Sequence, residues 1–254
     1  MKLLSTFLIT FLSVTYTANS LATTQQSQKA QQKPLLPAFS AQYTVLHKSD
    51  PAGTAVRQLR YQNDGSINYH YETDVKWLIF SQTRSETSIL TIKDNQVTPH
   101  HYTYTREGTG RDKRYEWRYH AEQNIADDIE RKRTHKIDFS QHIQDKLSYH
   151  LQHRLNLIAD ATQPQYAYSV INTSGTVSQH IYQYDGEEEL ILPYGLVKAI
   201  RFKREVKEKE RTTYAWFAPD LDYLLVKLYQ IKAGNEQFEA QLIGLTLETP
   251  TSKK

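Results

Sequence analysis

From Phe39 to Leu247 apolar and polar residues alternate in short runs, and this period of two constrains the fold more than any other feature of the chain. Phe39, Ala41, Tyr43 and Val45 form one such run; Ile67, Tyr69, Tyr71, Thr73 and Val75 form another. Successive side chains of a strand point to opposite faces, so each run reads as a strand with one buried face. Further runs cover 83–92, 97–106, 113–119 and 128–136, and after Pro164 they resume through Tyr166, Tyr168 and Val170 and then over 177–184, 188–192, 196–206, 209–217, 223–231 and 237–247. Between them stand turn formers: Asp50-Pro51-Ala52-Gly53, Asn63-Asp64-Gly65, Lys93-Asp94-Asn95, Glu107-Gly108-Thr109-Gly110, Asp185-Gly186 and Ala233-Gly234-Asn235. No helices alternate with the strands, which excludes a parallel α/β sheet and leaves an antiparallel meander. The 18 tyrosines and 8 phenylalanines against one methionine agree with this, since aromatic rings suit pleated surfaces.

One segment departs from the alternation. Ile143, Leu147, Leu151, Leu155 and Ile158 recur three or four residues apart, the spacing of one helix face, and predict a helix over about 140–159 with Ser140 as its N-cap. His142, Asp145, Lys146, Gln152, His153 and Asn156 would form its polar face. The expected fold is mainly β: a single antiparallel curved sheet or open barrel-like domain with this one amphipathic helix against it.

Lys2 followed by the apolar run from Leu3 to Val14 and by Ser20-Leu21-Ala22 has the layout of an export signal cleaved after Ala22. The run is too short to span a bilayer, which needs about 20 residues. The expected organisation is a signal peptide over 1–22, a disordered leader over 23–37, a β domain over 38–247 and a polar tail over 248–254, with the mature chain in the periplasm and lacking a transmembrane segment. Lys plus Arg number 31 against 28 Asp plus Glu, too even a balance for a nucleic-acid binder. The absence of cysteine excludes disulfides, thiolate catalysis and Cys-ligated metals.

Phe39-x-Ala41-x-Tyr43, Asp145-x-x-Ser148-Tyr149, Gly195-Leu196-Val197-Lys198, Arg201-x-x-Arg204 and Thr213-Tyr214-Ala215-Trp216-Phe217-Ala218-Pro219-Asp220 with Tyr223 resemble DUF3108, a family of uncharacterised exported bacterial proteins. The resemblance spans the mature domain and is most specific in its C-terminal third. It implies a Gram-negative envelope location and a mainly antiparallel fold, and it implies no reaction.

The residues carry little catalytic chemistry. His150 and His153 are helix neighbours, but no carboxylate completes an HExxH pattern, and His100 and His101 point to opposite faces of a strand; these histidines are expected at the surface. Asp145, Ser148 and His142 supply the residue types of a triad without its geometry, and no GxSxG elbow is present. Gly108-Thr109-Gly110 lacks the GK[ST] of a phosphate loop. No catalytic residue, cofactor or metal is therefore expected.

Two features point to binding. Trp77, Trp117, Tyr214 and Trp216 are candidates to line a ligand site on a curved sheet. Arg201, Lys203 and Arg204 are candidates for a basic rim facing an anionic headgroup. The leading expectation is a non-enzymatic binding or carrier module for a lipid or other amphipathic ligand. Its alternatives are an assembly factor acting through contacts with envelope proteins, and an enzyme with an unrecognised site.

Overall fold

The computed structural model describes residues 36–248. The expected signal peptide, most of the leader and most of the tail lie outside the described residues.

Fourteen strands form one continuous antiparallel sheet: β1 (Ala38–His47), β2 (Asp50–Tyr61), β3 (Ile67–Trp77), β4 (Phe80–Lys93), β5 (Gln96–Gly108), β6 (Lys113–His120), β7 (Ile125–Asp128), β8 (Arg133–Lys136), β9 (Gln165–Ile171), β10 (Val177–Leu192), β11 (Gly195–Val206), β12 (Arg211–Ala218), β13 (Leu224–Lys232) and β14 (Asn235–Glu248). The order is β8-β7-β6-β5-β4-β3-β2-β1-β14-β13-β12-β11-β10-β9, two meanders joined where β1 pairs with β14, and the sheet does not close into a barrel. The alternation read from the sequence is the burial pattern of the strands: Phe39, Ala41, Tyr43 and Val45 are buried and their neighbours are not.

The one α-helix among the described residues, α1 (Ser148–Ala159), is shorter than the spacing predicts. A 3-10 turn occupies Phe139–Gln141, capped by Asp138 rather than Ser140, and His142 takes a left-handed φ of 52° that stops it. Gln144 then runs beside β9, its N–H donating to Ser169 and its carbonyl accepting from Ile171. Asp145 starts the helix instead. Its Oδ1 accepts the N–H groups of Leu147 at 2.7 Å and Ser148 at 2.6 Å, while the Asp145 N–H donates to Ser148 Oγ at 2.9 Å, a reciprocal capping arrangement that satisfies first-turn donors.

The apolar stripe behaves as expected: Ile143, Leu147, Leu151 and Leu155 are all buried against the sheet. The polar face does not. Asp145, Gln152 and His153 are buried as well, because α1 sits inside the curl of the sheet. Gln152 accepts from Val97 N of β5, and His153 bonds the Tyr168 hydroxyl of β9 at 2.8 Å while stacking on Tyr182 with ring centres 4.6 Å apart. His153, expected at the surface, is 1% exposed, and burial holds its imidazole down to about 3.

Two turn expectations also change. The first hairpin turns at Lys48 and Ser49, leaving Asp50–Gly53 inside β2, and Asp185-Gly186 is an irregularity within β10 rather than a turn.

Candidate ligand-binding surfaces

The inner face of the sheet, the side that holds α1, changes character along its length. At one end Leu36, Phe39, Leu59, Leu90 and Leu155 are fully buried and seal the interior. At the other end, where the turns after β1, β3, β5, β11 and β13 form a rim, Tyr71, Thr73, Arg84, Arg106, His180 and Arg204 are only half-buried.

Register places these groups in rows. Arg57 lies opposite Tyr71, Tyr71 opposite Glu86, and Glu86 opposite Tyr104, across β2 to β5; one step nearer the rim, Thr73, Arg84 and Arg106 align. The facing wall supplies His180 and Tyr182 from β10 and Arg204 from β11, with Tyr149 and His150 from the first turn of α1 between them. The Arg57 guanidinium lies 5.3 Å from the Tyr71 ring centre and 5.9 Å from that of Tyr69. Burial, and then the charges of Arg57, His180, His153 and Arg204, hold His150 well below the usual histidine range. Burial and Arg204 bring His180 down to about 3.

The rim carries an unusual turn. Between Trp77 and Phe80 the β3–β4 hairpin reverses through Leu78 and Ile79, which are 85% and 98% exposed. Two-residue hairpin turns favour Asn and Gly because they require positive φ. Leu78 takes φ 53° with an aliphatic side chain, a conformation that costs free energy. Neighbouring turns brace this tip: Thr109 N donates to Ser81 O at 2.6 Å, Thr109 Oγ1 accepts from Ser81 N at 2.9 Å, and His47 packs 4.4 Å from Trp77. Gly108 permits the approach, since a Cβ there would lie 2.2 Å from the Ser81 carbonyl oxygen.

The residues expected to line a ligand site are dispersed. Trp117 is core, 1% exposed. Trp77 stands at the rim beside the exposed turn. Tyr214 and Trp216 lie on the outer face, as their register with Lys203 and Arg201 shows, while Phe202 and Ala215 face the helix side. There they join Arg201, Lys227, Tyr229 and Glu239 in a groove of about 470 Å³. Trp216 donates to Glu188 at 2.7 Å, and Arg201 and Lys227 sit 5.9 and 5.0 Å from its ring centre, so the charges there are already engaged with the indole. The expected basic rim divides: Arg201 and Lys203 face outward, and Arg204 faces inward. Sequence reasoning passed over Arg57, His180 and the Leu78-Ile79 turn. Four consecutive large apolar residues, Trp77 to Phe80, were the available signal.

The model of a family described as "Protein of unknown function (DUF3108)" matches residues 41–241. No curated protein matches the chain. Among solved structures, a beta-barrel-like protein of domain of unknown function DUF1849 from Brucella abortus is similar, with a TM-score of 0.57 at 10% identity, covering 84% of this chain and 99% of that one. At that identity the likeness concerns the fold alone.

Proposed function

The chain belongs to the DUF3108 family, and from that starting point we propose that it is a non-enzymatic binding module of the bacterial envelope, exported to the periplasm, that receives an amphipathic ligand at the rim of its open sheet. The observation that carries this reading is the exposed Leu78-Ile79 turn, flanked by Trp77 and Phe80, beside a half-buried polar interior. Water penalises exposed aliphatic side chains, and a left-handed leucine adds to the cost, so the turn is poorly suited to a purely structural role. An amphipathic molecule offers both an apolar part for the tip and a polar part for the mouth. Among the described residues no helix is long and apolar enough to cross a membrane.

The packing under α1 redirects the carrier idea. Leu147, Leu151 and Leu155 are at most 2% exposed, so the helix is packed core, and the ligand surface moves to the rim. The assembly-factor alternative would use free sheet edges. Here Gln144 hydrogen-bonds to the outer side of β9, and β8 is only four residues long with Arg133 and Lys136 at its ends. Both edges are thus poor templates for strand addition.

Native mass spectrometry of protein released from its own envelope tests the reading. A retained amphiphile is expected for the wild type, with loss of it in the Leu78→Ser/Ile79→Ser double variant; an empty wild-type protein would overturn the proposal.

A further inference from the structure

Cations on the two faces of the sheet are treated differently. On the outer face they meet carboxylates: Arg201 lies 2.8 Å from Asp185 and 2.9 Å from Glu188, Lys203 3.0 Å from Glu205, and Lys227 3.0 Å from Glu239. Inside, the described residues place no carboxylate within 4 Å of Arg57, Arg84, Lys146 or Arg204. Arg57 is 8% exposed, and its Nε is buried with no hydrogen-bond partner. A guanidinium stays charged at every accessible pH, so burial without a counter-charge is costly. The tyrosine faces beside Arg57 offset part of that cost.

The carboxylate in this row is Glu86, which accepts the Tyr102 hydroxyl at 2.8 Å. The other buried carboxylate nearby, Asp145, is taken up by Ser88 and by the Leu147 and Ser148 amides, so neither it nor Glu86 forms an ion pair with Arg57, Arg84, Lys146 or Arg204. Arg204 follows Lys203, which pairs with Gln183 and so sets Arg204 beside Tyr182. Tyr149 packs with ring centres 4.8 Å from His180 and 6.3 Å from Tyr182, while Arg57 lies 5.3 Å from Tyr71 on the opposite wall, and both guanidiniums act electrostatically on His150 and Tyr182.

We propose that this inner mouth binds a phosphate or phosphate monoester between Arg57 and Arg204, with Tyr71, Tyr149 and His180 around it. Guanidinium groups donate in a fixed fork that matches phosphate oxygens, and a multiply charged anion answers an excess of several cations better than one carboxylate would. The site deepens the reading of the rim by giving the amphipathic ligand its headgroup. It also stands without that reading, because a phosphate needs no apolar tail to enter.

Calorimetric titration with inorganic phosphate and, separately, with a short-chain phosphatidate below its micelle concentration tests the site. Saturable binding is expected for at least one of them, weakened roughly tenfold or more in Arg57→Gln and in Arg204→Gln through loss of a charged hydrogen bond, and unchanged in the outer-face variant Arg201→Gln. Arg204 is half-buried and makes no hydrogen bond that holds the fold, so Arg204→Gln carries the test if Arg57→Gln does not fold. Tighter binding of the phosphatidate assigns the phosphate to a lipid headgroup. Equal binding of the two assigns the site to phosphate alone and counts against the amphipathic reading while leaving the anion site intact. No saturation by either ligand, or affinity indifferent to both Arg57→Gln and Arg204→Gln, overturns the inference.

Discussion

Replacing Asp145 by asparagine isolates the price of a buried carboxylate at the start of α1. Asp145 is fully buried; Ser88 Oγ donates to its Oδ2 at 2.5 Å, and the Leu147 and Ser148 amides donate to its Oδ1. These bonds favour the carboxylate, but burial outweighs them and pushes the group up to about 6 from an ordinary 3.8. With its native value raised, the native state holds the proton more firmly than the unfolded chain. The resulting stabilisation is fully present below pH 3.8 and is lost as pH rises through about 6. The gap of roughly 2.2 pH units, at about 1.36 kcal/mol each, amounts to about 3 kcal/mol. Asparagine keeps the Oδ1 acceptor for both amides and presents an amide to the Ser88 oxygen, but it does not titrate. Urea melts of both proteins from pH 7.5 to pH 4 should therefore show the wild type gaining about 2–3 kcal/mol relative to Asp145→Asn as pH falls. Taking the difference removes the titrations the two proteins share. Asp145→Ala supplies the control for the cap: relative to Asp145→Asn, which also lacks the titration, it should lose about 2–4 kcal/mol at all these pH values, through the missing cap and an unsatisfied Ser88 hydroxyl. A difference between wild type and Asp145→Asn that stays flat across the range, or grows with pH, would refute the argument.

Leu151→Ala should cost about 2–5 kcal/mol, and His153→Ala should cost a similar amount rather than little, because both side chains are enclosed; matching urea midpoints for His153→Ala and wild type would contradict its placement between Tyr182 and Phe217. His153 and His180 have native values near 3, below the ordinary 6.5, so the stability they contribute is complete above pH 6.5 and declines toward pH 3, each by up to about 1.36 kcal/mol per pH unit. Replacing His153 by phenylalanine should flatten the acid limb of the wild-type stability profile, measured by chemical denaturation. Gly108→Ala, which drives a methyl into the Ser81 carbonyl, should loosen the brace under Leu78-Ile79 and speed amide exchange at Ser81 and Thr109; unchanged exchange there would count against it.

The strands were legible because burial of one face imposes a period of two on any half-buried sheet, and Phe39 to Val45 or Ile67 to Val75 show it without reference to partners. The helical stripe from Ile143 to Ile158 was legible for the same reason, at a period near 3.6. What the stripe could not convey is that α1 would be wrapped on more than one side. His153 and Gln152 look like a solvated face until the curl of β9 to β12 encloses them, and only their bonds to Tyr168 and to the Val97 N–H make that burial tolerable.

The start of the helix was decided by competition. Ser140 and Asp145 are both capping residues by type, and the pairing of Gln144 with β9, more than twenty residues away, holds the preceding segment extended and awards the cap to Asp145. The candidate sites divide along the same line. Residue type suggested that Tyr214, Trp216 and Arg204 belong together, but a one-residue step along β11 or β12 exchanges faces, so Trp216 joins Arg201 outside while Arg204 joins Arg57, far away in the chain, inside. Local patterning determines which residues become strands and helix. Which side of the sheet becomes the interior, and therefore which charges are left without a carboxylate, depends on the order of fourteen strands and the direction of their curl, and those are properties of the assembled sheet rather than of any segment.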